Sequence, residues 1–416
     1  MKLFFILLFS ISITLGQKLL IPMDITQNDH LKAYGIAFLT LKKDVNVEWL
    51  LNYRDGSFLV DHYPFIEKEC QVRGVTFETV DGNKALSIYG EIEQNNMDIV
   101  LLEKAPKVAI YTPPNKQPWD DAVTLALTYA EIPYETLWDE EVLTNGLSDY
   151  DWLHLHHEDF TGQYGKFYRN YHNAPWYLKQ QKQFEAVART YGYWSVHEEK
   201  KAITQTIKSY VGEGGFLFAM CSATDSYDIS LSLENVDGVH SVFDGTPVDP
   251  KVQSKLDYSK TFAFTQFKLL TDPMVYEFSD IDYPPSHIPK VRTAESDYFS
   301  LFEFSAKYDP VPTMLTQNHV GTVKGFMGQT TGFDRNRIKN HVVIMGEDPA
   351  SDQVKYLHGN FGKGTFTFYG GHDPEDYQHF VGDPPTDLTL HRNSPGYRLI
   401  LNNVLFPAAR KKERKT

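Results

Sequence analysis

The chain has 416 residues, 42% of them hydrophobic and 14% aromatic, which is ample for a packed core and fits two or three domains. A formal net charge of −14 gives a surface that repels polyanions, so nucleic acid is not an expected partner. With only two cysteines, Cys70 and Cys221, the fold cannot rest on a disulfide framework.

Residues 1–16 read as an export signal. Lys2 supplies the positive start, residues 3–15 an apolar run, and Thr14-Leu15-Gly16 a small-x-small site before Gln17. The run is too short to cross a bilayer, and no later stretch reaches the ~18 apolar residues of a membrane span. No cysteine follows the cleavage point, so the expected mature protein is periplasmic or secreted, without a lipid anchor.

An N-terminal α/β unit is expected over 17–104. It opens with a buried strand at 18–24, an amphipathic helix at 29–43 and a strand at 45–53, closed by an Asp55-Gly56 turn. The second body, 105–408, starts with a strand at 107–112 that Pro113-Pro114 break. Asp120-Asp121 then open a helix, their charge suited to its N-terminus. Strands at 134–138 and 151–156, a helix near 200–210, a wholly apolar strand at 216–220, a late strand at 364–369 and a closing helix at 396–406 follow. Strands alternating with helices predict a doubly wound, mostly parallel α/β sheet. Aromatic-rich stretches near 160–200 and 245–330 read as insertions on it, and 409–416 as a solvated basic tail.

Three groups of residues carry possible chemistry. The run Phe216-Leu-Phe-Ala-Met-Cys221-Ser222-Ala223 places a cysteine where a buried strand turns into a helix. Small residues two positions either side, Ala219 and Ala223, suit a nucleophile elbow. The helix start would lower the thiol pKa and offer N–H groups near Ser222 to an oxyanion. Second, Gly370-Gly-His372-Asp-Pro-Glu375 brings a base to the same sheet edge if the two strands are parallel. Glu375 or Asp373 would orient it, although Asp373-Pro374 also read as an ordinary helix start. Third, His154-Leu-His156-His157-Glu158-Asp159 ends a strand where such a sheet lines its crevice. His156, His157 and Glu158 are candidate substrate-binding residues, with hydrogen-bonded core packing as the alternative. The spacing is not that of a zinc site, so no metal is expected. Neither a phosphate loop nor a dinucleotide fingerprint occurs, so no cofactor is expected either. The segment 277–282 reads as a solvated acidic loop.

The elbow and Gly-Gly-His372-Asp-Pro-Glu375, in this order of units, resemble the class I glutamine amidotransferase-like fold. There the elbow reads Gly-x-Cys-x-Gly and the late motif His-Pro-Glu. Here Ala219 and Ala223 stand for the glycines, and Asp373 is an extra residue. Nearly the whole chain is similar to a family of exported bacterial proteins carried under the name asparagine synthetase B. The stretches at 30–35, 48–53, 151–161 and 393–403 carry that resemblance. The Ser-Gly-Gly-x-Asp-Ser pyrophosphate loop of asparagine synthesis is missing, so the name is a label and not a mechanism.

Two functions are expected from these residues. One is a cysteine-dependent hydrolase of an amide or ester, with Cys221 as nucleophile and His372 as base. The other is a non-catalytic envelope binding module for a small molecule, peptide or glycan, for which the aromatic residues 164–194 suit saccharide stacking. Metal-dependent hydrolysis through His154, His156 and His372 is the third alternative.

Overall fold

The computed structural model describes residues 16–114, 120–155, 157–283, 297–309, 312–326, 328–376 and 382–410. Residues 1–15 of the expected signal, His156 and residues 411–416 of the tail therefore lie outside the described residues.

The N-terminal unit runs β1 (Lys18–Ile21), α1 (His30–Lys42), β2 (Val47–Leu51), β3 (Ser57–Asp61), α2 (Pro64–Arg73), β4 (Glu78–Val80), α3 (Gly82–Gln94) and β5 (Asp98–Leu102). Its five strands pair in the order β4-β1-β3-β2-β5, every pair antiparallel. The expectation of parallel pairing fails here for a local reason. Asn52, Arg54, Asp55 and Gly56 all take positive φ between β2 and β3, folding the chain straight back, whereas a parallel crossover needs a dozen residues or more.

The second body runs β6 (Val108–Tyr111), α4 (Ala122–Ala130), β7 (Glu135–Leu137), β8 (Trp152–Leu155), α5 (Pro175–Thr190), α6 (Val196–Glu213), β9 (Phe216–Met220) and α7 (Ser222–Ser232). It continues with β10 (Tyr298–Leu301), β11 (Thr322–Lys324), β12 (Phe333–Asp334), β13 (Val343–Glu347), β14 (Gln353–Phe361), β15 (Gly364–Tyr369) and α8 (Pro395–Leu405). Its ten-stranded sheet is mixed, in the order β11-β10-β13-β14-β15-β9-β8-β6-β7, with β12 paired to β14. The stretch β15-β9-β8-β6-β7 is parallel throughout, while β14, β13, β10 and β11 extend it antiparallel. The insertion expected at 245–330 thus does more than decorate the core: it supplies β10 and β11 to the sheet.

Strand alternation sorts the side chains into layers. Leu20, Leu50 and Leu59 face α3 on the outside of the first sheet. Their neighbours Leu19, Ile21, Trp49, Phe58 and Val60 share one core with α1, α4, α8 and the near face of the second sheet, through Val108, Ile110, Phe218 and Met220. The far face, through Ala109, Leu153, Leu217 and Phe366, packs on α5, α6 and α7. Both cysteines are free thiols and buried, Cys70 among the residues of that shared core.

Candidate active site

The parallel ladder fixes where the chemistry emerges. Leu155 of β8 pairs with Ala219 of β9, and Met220 of β9 with Tyr369 of β15. The residues just beyond these, His157, Cys221 and His372, therefore leave the sheet at one carboxyl edge, the place where open α/β sheets bind ligands. Cys221 itself sits at φ 53 and ψ −140, outside the regions that a residue with a Cβ prefers, directly before α7. Such a conformation persists only where its surroundings hold it. Ala219 and Ala223 are both fully buried where strand and helix approach. Ser222 Oγ donates to the His157 carbonyl at 2.8 Å and ties the start of α7 to the end of β8.

A second loop, around residues 328–331, closes over the sulfur. The Gln329 N–H donates to Cys221 Sγ at 3.2 Å. The N–H groups of Thr330 and Ser222 also act on the thiol. Gly328 allows this close approach: a Cβ on it would stand 3.0 Å from Sγ and 3.0 Å from the His372 nitrogen, tighter than ordinary contact. The loop is held from several sides. Thr330 Oγ1 donates to Asp225 Oδ1 at 2.9 Å, the Gly371 N–H to the Thr330 carbonyl at 2.8 Å, and Lys355 Nζ to the Thr331 carbonyl at 2.9 Å. Gln329 Nε2 reaches the Gly165 carbonyl at 2.8 Å, joining this loop to the first insertion. Neither Gln329 nor Asp225 was singled out by the sequence. The available signals were the four-residue spacing from Cys221 to Asp225, one helical turn, and Gln329-Thr-Thr331 between two glycines.

Burial dominates the electrostatics. It pushes the Cys221 thiol up to about 11, against the three N–H groups and with a further upward push from Asp225. Burial likewise raises Asp225 to about 7, although the Thr330 hydroxyl pulls it down. Asp282 rises well above the carboxylate range through burial and the charges of Asp225 and Glu277. Glu277 and Asp282 are 2% and 6% exposed, so the segment 277–282, expected as a solvated loop, is instead buried. Phe278 and Ile281 insert into the core between those acids and carry them inward.

His372 is 3% exposed, and its ring lies 4.5 Å from that of His157, centroid to centroid. Glu375 Oε2 stands 3.2 Å from His391 Nδ1. Asp373 accepts from Tyr397 OH at 2.7 Å and from the Glu375 N–H at 2.9 Å, capping a turn. Glu158 is buried beside Lys200, Asp139 and Asp159, and burial holds its carboxyl at about 7 despite Lys200. Lys200, wholly buried, donates to Asp139 at 2.8 Å and to Tyr111 OH at 2.7 Å. His154 belongs to the core: its ring nitrogens face the Phe218 carbonyl at 3.0 Å and Asp121 Oδ2 at 3.1 Å. Asp159 accepts the N–H groups of Thr161 at 2.7 Å and Gln163 at 2.6 Å, shaping the loop after β8. Among the described residues, no three His, Cys, Asp or Glu side chains are grouped to hold a metal ion. No helix among them is long and apolar enough to cross a membrane.

No family model matches the chain, and no curated protein does. Among solved structures, the cytoplasmic protein STM3548 from Salmonella typhimurium is similar at 12% identity and a TM-score of 0.35, over 73% of this chain and 100% of its own. STM1381 from Salmonella typhimurium LT2, also a cytoplasmic protein, matches at 11% and 0.33, over 73% and 100%. A beta-galactosidase from Bacillus circulans sp. alkalophilus matches at 11% and 0.28, over 70% of this chain and 31% of its own.

Proposed function

We propose that the protein is an exported, cysteine-dependent hydrolase of an amide or ester bond, built on a class I glutamine amidotransferase-like fold. The observation that carries this reading is Cys221 at positive φ between a buried parallel strand and a helix, with N–H groups from two separate segments directed at its sulfur. The strand order of the parallel part, with β6 second and β7 at the edge, supports the fold named. The sequence of residues 1–16 supports export.

In this reaction the thiol proton passes to the His372 imidazole as Sγ bonds to the carbonyl carbon. The negative charge that develops on the carbonyl oxygen is met by the N–H groups of Ser222, Gln329 and Thr330. The C–N or C–O bond then breaks, and the leaving amine or alcohol takes the proton from His372. Water, deprotonated by His372, hydrolyses the thioester, releasing the acid and restoring the thiol. His157 and Glu158 border the substrate. A thiol held up to about 11 is almost wholly protonated at neutral pH, so the base is indispensable.

The test is the pH dependence of alkylation by iodoacetamide in the folded protein. Cys221 is expected to react near neutrality, faster than Cys70, whose thiol burial pushes up to about 12. His372→Ala is expected to slow the labelling of Cys221 near neutrality. A Cys221 that stays inert near neutrality, or a profile that His372→Ala leaves unchanged, would overturn the hydrolase and leave the fold as a binding module.

A further inference from the structure

A cleft of about 580 Å³ opens on the first insertion, and none of its lining residues belongs to the elbow site. One wall is a polar row on α5. Gln181, Glu185 and Arg189 follow one another at four-residue spacing and so share a helix face. They are joined along it: Gln181 Nε2 donates to Glu185 at 3.0 Å and Arg189 Nη2 at 3.3 Å. The turn at 241–245 also lines it, and there the Asp244 carboxylate is engaged by the Thr246 N–H and hydroxyl, both at 2.9 Å. Tyr193 and Trp194 complete the aromatic part of its lining.

Trp194 is the feature that needs a reason. Its side chain is 80% exposed, the largest apolar surface a residue can leave in water. The residues on either side of it are nonetheless hydrogen-bonded. Ser195 caps α6 by accepting the Glu198 N–H at 3.2 Å, and Tyr193 N–H bonds the Ala188 carbonyl at 2.9 Å. An exposed indole that lines a cleft, between two residues tied down by hydrogen bonds, is a surface on which a flat ligand can stack. The charges of the walls restrict what stacks there. Glu185 and Arg189 neutralise each other, and Asp244 is tied to its own turn, so neither a phosphorylated ligand nor a strong cation is matched.

We propose that this cleft binds a neutral oligosaccharide. A pyranose ring presents a flat face of C–H groups to the Trp194 indole and a rim of hydroxyls to the Gln181–Glu185–Arg189 row, which offers amide, carboxylate and planar guanidinium partners in sequence. The volume accommodates such a ligand, since small-molecule sites span roughly 300–1,000 Å³. The site is independent of the elbow chemistry.

The experiment is titration of the intact protein with a panel of neutral oligosaccharides (α- and β-linked glucans, mannan, xylan and chitin fragments), read by tryptophan fluorescence and by calorimetry. At least one class is expected to shift the emission saturably, with binding weakened roughly tenfold or more in Trp194→Ala and in Glu185→Gln. Both side chains lie outside the core, so the two variants are expected to keep the parent's melting temperature, which is checked in parallel. Cys221→Ser is expected to bind as the parent does, which separates this site from the hydrolase. No binding by any member of the panel, or binding unchanged in Trp194→Ala, would overturn the proposal.

Discussion

Cys221 shows how one residue's chemistry is set by the groups around it. Its sulfur is screened from water by a loop anchored through Thr330 to Asp225, itself wholly buried on the first turn of α7. Asp225 Oδ2 meets no hydrogen-bond partner among the described residues, so ionising this acid inside the fold is unfavourable. The sign follows from linkage. The folded pKa of Asp225 is raised from 3.8 to about 7, so across that window the folded state holds more protons than the unfolded one. Its contribution to stability is best below 3.8, declines as pH rises, and is constant above about 7. Asp225→Asn keeps an acceptor for Thr330 and removes the titration. The variant's stability relative to the parent is therefore expected to increase with pH through this window, by roughly 4 kcal/mol at most, and then level off. Urea titrations at several pH values read this directly, and a pH-independent difference would show that Asp225 titrates normally.

At the scale of elements, α1 and α4 approach closely at a glycine. A Cβ on Gly35 would stand 2.0 Å from the Ala130 carbonyl oxygen, which is backbone and cannot move aside. Gly35→Ala is expected to lower stability by about 3 kcal/mol, measured by denaturant unfolding, because the helices must separate. Helix α8 completes the same layer. Its buried Arg398 donates to Tyr34 OH at 3.1 Å, to the Met23 carbonyl at 2.8 Å and to the Asp55 carbonyl. Asn402 accepts from Tyr34 OH at 2.5 Å, and Asn393 lies 3.0 Å from His30 Nδ1. The segments at 30–35 and 393–403, read in the sequence as family signatures, are thus the two sides of one buried polar seam. Their residue identities answer to each other across the fold, which accounts for their character without assigning them to catalysis.

The whole molecule is a stack: α3, the antiparallel sheet, the helical layer of α1, α4 and α8, the mixed sheet, and the layer of α5, α6 and α7. The helical layer belongs to both sheets, since one continuous core joins Trp49 and Phe58 to Ile110 and Met220. The chain closes the stack by returning to its start, where Ala409 bridges Leu102 and the Arg410 N–H donates to the Leu101 carbonyl at 2.8 Å. Two bodies sharing a core should lose it together. A single calorimetric unfolding transition is expected, and two separated transitions would show that the N-terminal unit is only an appended domain.

Phe216–Met220 was legible in the sequence because burial on both faces demands a continuous apolar run, and Gly364–Tyr369 because Thr and aromatic residues alternate between glycine and glycine. The elbow was legible because its determinants are contiguous: strand, Cys221, Ser222, small residue, helix. The start of α4 was equally local, with Asp121 accepting the Thr124 N–H at 2.6 Å as its cap. Pairing direction was not, since β2–β3 reversal depends on backbone angles at positions 52–56 that the residue types permit without requiring. The loop at 328–331 was not either, because it lies 108 residues from the sulfur it covers, and only the packing of β10 to β15 brings it there. For Cys221, then, the sequence by itself determined the strand, the turn and the cysteine's position between them. The tertiary structure alone decided what surrounds it, because burial, opposing N–H groups and neighbouring acids come from chain segments that meet only in the folded state.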